Sequence, residues 1–170
     1  MASLIEVLID TLNAENDEYV KLLDISKRKT PIIVKNELEA LRNIVAEEQV
    51  HVDKVANLEK RRMEAVNDIA TVLNKDADKL TVMEIIDLLK GQDDVQNQLI
   101  EAHARIRATL NDVVTINEIN KNLIKESLEM VEFNINLINS FKKAPEVNNY
   151  TKGAYNVNAY TEPPKFDAKN

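Results

Sequence analysis

Glu48 and His51 stand three residues apart in a stretch of helical spacing, which aims a carboxylate and an imidazole at one point on a helix face. In carboxylate-bridged helical bundles such E-x-x-H pairs ligate metal, but that chemistry needs a second pair and two further glutamates on facing helices. The other histidine, His103, has Ile100 three positions before it, so the second pair is missing. With no cysteine there is no thiolate ligand or nucleophile. The chain holds two glycines and has no Gly-rich phosphate loop and no nucleophile elbow. We read His51 and His103 as half-exposed packing residues in a protein that is not an enzyme and needs no cofactor. The clusters Lys27-Arg28-Lys29 and Lys60-Arg61-Arg62 are short, and the net charge is −7. That balance argues against nucleic acid or an anionic membrane as partner.

The elements that position these residues are long helices. Among 170 residues, 30% are charged and 4% aromatic, with Leu, Ile, Val, Glu and Lys abundant. No apolar run is long enough to span a membrane, and MASLIEVLID has acidic residues where a signal peptide would be basic. A cytoplasmic location is expected. A first helix over 3–29 starts from a Ser3/Glu6 capping box, carries Ile5, Leu8, Leu12, Glu15, Tyr19 and Leu22 on one face, and ends at Thr30-Pro31. A second, 36–74, starts at Asn36 with Glu39 as reciprocal cap. Its seam reads Leu38, Leu41, Val45, Glu48, Val52, Val55, Glu59, Arg62, Val66, Ile69, Leu73, which is coiled-coil spacing. A short helix over 81–90 is capped by Thr81 and Glu84 and stopped by Gly91. The last helix covers 93–142, about 75 Å at 1.5 Å per residue. The expected fold is all-α: an elongated antiparallel three-helix bundle or hairpin of coiled-coil-like helices, with a short fourth helix. This body spans 1–142.

Thr115 to Met130 reads TINEINKNLIKESLEM, with three asparagines in a place that ordinarily disfavours them. The 4,3 pattern puts Asn117 and Asn120 on the seam and leaves Asn122 outside it. We expect Asn117 and Asn120 to form a buried polar layer that sets register, with partners among Glu15, Glu48, Glu59 and Arg62. Beyond Asn120 the apolar face is wider than one partner helix requires: Leu123, Ile124, Leu128, Met130, Val131, Ile135, Leu137, Ile138 and Phe141. These residues are the candidate groove for a helix from another protein.

Residues 143–170 form a different region, an irregular tail rich in Tyr, Asn and Pro that carries +1 against −8 for the body. Its tyrosines, Tyr150, Tyr155 and Tyr160, recur every five residues. A solvated terminus and a linear docking motif both fit this composition. Docking of the tail on the groove of its own or a neighbouring molecule also stays open.

The ordered set of motifs resembles the FlgN family of flagellar type III export chaperones. The resemblance rests on Leu8, Leu12, Glu15, Tyr19, Leu22 and Leu23 at the start, and on Glu48, Leu58, Glu59 and Arg62 in the middle helix. It continues through the linker helix LTVMEIIDLL and the set Asn117, Asn120, Leu123, Ile124, Ser127 and Leu128. What it implies is a cytoplasmic chaperone in flagellum biogenesis. Such a chaperone binds helical C-terminal segments of hook–filament junction proteins, prevents their premature assembly and delivers them to the flagellar export gate. The tail tyrosines would dock on that gate. The competing reading is a structural or signalling coiled-coil module that forms homo-oligomers through the same apolar face.

Overall fold

The computed structural model describes residues 2–143, and all of its regular elements are helices: α1 (Ala2–Val34), α2 (Leu38–Leu73), α3 (Val82–Leu88) and α4 (Asp93–Lys143). Helix α1 is the shared spine, packed along both α2 and α4, while α3 packs against the start of α4. Cross-helix pairs give the directions. Glu15 meets Arg62 and Arg28 meets Glu47, so α1 and α2 are antiparallel. Asn16 meets Thr109 and Thr30 meets Asn120, so α1 and α4 run parallel. The fold is the expected up-down-up bundle of long helices.

The core fills one end of that bundle. Ile5, Leu8, Ile9 and Leu12 of α1 join Ala65, Ile69 and Ala70 of α2, Ile85, Ile86 and Leu89 around α3, and Leu99, Ala102 and Ile106 of α4. Helix α3 closes this end as a lid, and its capping box forms as anticipated. The Glu84 amide donates to Thr81 Oγ1 at 3.2 Å and the Thr81 amide to Glu84 Oε2 at 2.9 Å. Gly91, at φ 99°, then turns the chain into α4.

Four local expectations are corrected. Helix α1 starts by Ala2, so Ser3 is already inside it and does not mark the start. It also runs through Pro31. Proline in the final turn forfeits one backbone bond, and burial of Ile33 holds that turn in place. Asn36 does not start α2; it closes α1 in the left-handed region at φ 55°. The Asn36 amide donates to the Ile33 carbonyl and the Glu37 amide to the Ile32 carbonyl, the two bonds of a Schellman motif. Asn74 ends α2 the same way. Finally, Lys27-Arg28-Lys29 is not at a helix end, and Arg28 and Lys29 instead reach α2.

The seam of α2 is also shifted over its first half. Leu41, Glu48, Val55, Arg62, Val66, Ile69 and Leu73 face inward as expected, Val66 and Leu73 packing on the core. Ile44, His51 and Leu58 do so in place of Val45, Val52 and Glu59, and Leu38 is exposed. Both series step by three and four.

Candidate protein-binding site

The interface of α1 changes character from bottom to top. Above the apolar core, polar side chains on α1 are buried and each finds a partner. Glu15, 3% exposed, accepts from Arg62 Nε at 3.1 Å, and Arg62 also pairs with Glu59. Glu18 lies 2.6 Å from His51 Nδ1 and accepts from Lys21. Thr109 donates to Asn16 at 2.7 Å. Lys29 pairs with Glu48 and Arg28 with Glu47 and Asp24. Among the described residues no buried side-chain polar atom lacks a partner.

Asn117 and Asn120 join this ladder, but not through the partners expected, and only Asn120 is buried; Asn117 is exposed. Ser26 Oγ donates to Asn117 Oδ1 at 3.0 Å. Asn120, 3% exposed, donates through Nδ2 to the Ser26 carbonyl at 2.8 Å and accepts from Thr30 Oγ1 at 2.7 Å. The asparagines therefore lock α4 to α1. Glu15, Glu48 and Arg62 lock α2 to α1, and Glu59 is exposed beside Arg62. The register layer is two separate seams that share α1. Asn122 is solvated, as expected.

Ion-pair chemistry separates these carboxylates. Burial pushes the Glu15 carboxyl above the ordinary carboxylate value despite Arg62. Burial acts the same way on Glu18, but hydrogen bonds from Lys21 and His51 outweigh it and hold that carboxyl below the ordinary value. Burial, with Glu15 and Glu59 adding to it, raises the Tyr19 phenol. Glu48 and His51, the E-x-x-H pair, turn to different partners. Among the described residues no three potential metal ligands cluster.

Beyond Asn120 the bundle runs out of helix. Thr30 is level with Asn120, and α1 ends one turn later at Val34, near the level of Ile124. Helix α4 continues from there to Lys143. The face that packs on α1 below, through Ile106, Val113 and Asn120, carries on in the same register as Ile124, Leu128, Val131, Ile135 and Ile138. All five are exposed, Leu128 at 64%, as are Met130, Leu137 and Phe141 on the adjoining flank, Phe141 at 71%. Leu123 is the exception, half-buried against the bundle. Phe133, 57% exposed on the far side of the helix, is an apolar residue that the seam pattern missed because it lies opposite the stripe. At the foot of the strip lies an open apolar cleft of about 170 Å³. Ile32, Leu38 and Leu41 of the α1–α2 turn form one wall, and Ile124, Leu128 and Val131 form the other.

A bare apolar strip on a helix locked at its base is a protein-docking surface in form. The model of the FlgN protein family matches residues 1–157, almost the whole chain. The chain belongs to the FlgN family. Membership carries the broad role of a flagellar export chaperone, with protein clients as partners. The matched range includes Tyr150 and Tyr155 and stops short of Tyr160. No curated protein and no solved structure is similar enough to the chain to count as a match. Among the described residues no helix is long and apolar enough to cross a membrane. Tyr150, Tyr155 and Tyr160, named above as gate-docking residues, lie outside the described residues.

Proposed function

We propose that this FlgN-family chain holds the helical C-terminal segment of a hook–filament junction protein along α4 in the cytoplasm. It thereby prevents premature assembly and delivers its client to the flagellar export gate. The observation that carries this reading is the exposed strip from Ile124 to Phe141, with no segment of the described chain packed on it. Most helical stability comes from packing of an apolar face, so a partner that covers this one stabilises both surfaces. Covering on the order of 800 Å² at about 25 cal/mol per Å² gives ~20 kcal/mol before the cost of association is subtracted. A client helix with apolar residues at heptad spacing matches the strip, and the cleft at its foot receives the client's end.

Light scattering with and without a client-derived helical peptide tests the assignment. A monomer that forms a one-to-one complex supports it, and an obligate dimer indifferent to peptide replaces it with the homo-oligomeric module. Ile135→Asp with Phe141→Asp should weaken peptide binding at least ~30-fold, as expected for loss of an interface anchor. Both side chains are exposed, so the unfolding midpoint should not move.

A further inference from the structure

We infer that the cleft at the foot of the strip is a seat for one of the chain's own tail tyrosines, Tyr155 or Tyr160, and that the tail and a client compete for it. The size of the cleft is the first argument. An apolar cavity of about 150 Å³ takes a benzene ring, and this cleft measures about 170 Å³. It fits one aromatic side chain and is too small for a whole helix. Chemistry is the second argument. Its lining is aliphatic, with Asn36, Ser127 and Glu37 as its polar members and Glu37 as its one charge. A tyrosine matches that pattern, an apolar ring with a hydroxyl that finds a polar partner at the rim. The segment Ala154–Thr161, AYNVNAYT, carries both tyrosines and no charge.

Reach selects among the three tyrosines. Leu128 in the cleft wall lies 15 residues before Lys143, about 22 Å down the axis of α4. A chain spans at most ~3.3–3.6 Å per residue. Tyr150, seven residues past Lys143, attains that distance only when fully stretched, and Asn148 falls short of it. Tyr155 and Tyr160 have slack. Because the seat is on the same chain, its effective concentration reaches the millimolar range without added partner. Ile124, Leu128 and Val131 belong to both the cleft and the strip, so a seated tyrosine blocks the foot of the client site. It is also withheld from the export gate until a client displaces it. This consequence rests on the client-binding reading; the seating itself does not.

The chain has no cysteine, which permits a direct test on the full-length protein. Lys35→Cys, beside the cleft, is paired with Asn156→Cys or Thr161→Cys, which leaves both tyrosines in place. Oxidation at low micromolar concentration should give an internally cross-linked monomer at least ~10-fold faster than the pair Lys35→Cys with Asn148→Cys. Adding Leu128→Arg, or Tyr155→Ala with Tyr160→Ala, should slow that cross-link, since neither change alters reach. Equal rates in all pairs, or insensitivity to Leu128→Arg, overturn the inference. A product that is mainly dimeric does so as well, by assigning the cleft to a second copy. For the competition, the probe is a 20-residue synthetic helix with leucines at heptad spacing. Tyr155→Ala with Tyr160→Ala should tighten its binding three- to tenfold, and unchanged affinity overturns the competition. Ile135→Asp with Phe141→Asp should weaken peptide binding and leave the cross-link intact. Failure of the peptide to bind any variant, with the cross-link present, refutes the client reading and not the seat.

Discussion

Glu15 and Glu18, one turn apart on α1, respond to pH in opposite senses. Glu18 is held below the ordinary value of 4.5 in the folded chain, so its stabilising contribution is present above that pH and is lost as pH falls through the folded value. Glu15 is raised above 4.5, so the unfolded chain ionises it first and stability declines as pH rises through that window. Glu18→Gln should therefore cost about 2 kcal/mol at pH 7, the worth of hydrogen bonds to a charged group, and the difference should shrink below pH 4.5. Relative to the parent chain, Glu15→Gln should gain as pH rises from 4 to 7. Urea unfolding across this range checks both trends. The asparagines differ in a comparable way. Asn120→Ala removes the bonds to the Ser26 carbonyl and from the Thr30 hydroxyl and should cost about 2 kcal/mol, whereas exposed Asn117→Ala should cost under ~1 kcal/mol.

At the scale of elements, the ends of the helices divide labour. Two left-handed asparagines, Asn36 and Asn74, terminate α1 and α2, and Asn36 makes the turn that places Leu38 and Leu41 in the cleft wall. Asn36→Gly should be neutral or stabilising, since glycine adopts that backbone without penalty, and Asn36→Ala should destabilise by about 1 kcal/mol. The Thr81–Glu84 box anchors α3 over the core, and Thr81→Ala should likewise cost about 1 kcal/mol in thermal unfolding. Helix α4 is two elements in one. Its lower half is gripped by α1 and α3. Among the described residues its upper turns pack on no other helix, so amides from Leu128 to Lys142 should exchange with solvent faster than those near Leu99. They should gain protection when a client peptide binds.

Across the whole molecule, packing changes by level: an apolar core closed by α3, then a ladder of buried hydrogen bonds and ion pairs along α1, then a bare helix. The first two levels hold α4 in register, and the third leaves its apolar face exposed among the described residues. Alanine at Tyr150, Tyr155 and Tyr160 together should weaken recruitment to the export gate in a pull-down while tightening Ile135-dependent peptide binding, as release of the cleft requires. Equal loss of both would show that the tail belongs to the client site.

Helix type, number and most boundaries were legible in the residues, because periodicity, the Thr81/Glu84 box and Gly91 act locally. The width of the apolar face after Asn120 was legible too. What local pattern could not resolve was a choice between neighbours that differ by one position, as with Ile44 against Val45 or His51 against Val52. Two seams one residue apart have the same period, and only contact with α1 separates them. The second packed row on α1, with Asn16, Ser26 and Thr30, is invisible to apolar periodicity because polar side chains give no hydrophobic signal. Their burial depends on α1 having a helix on each side. Sequence alone thus determined that a long amphipathic α4 would exist with apolar residues to its end. The tertiary structure decided that those residues are bare, because α1 stops at Val34 while α4 keeps rising.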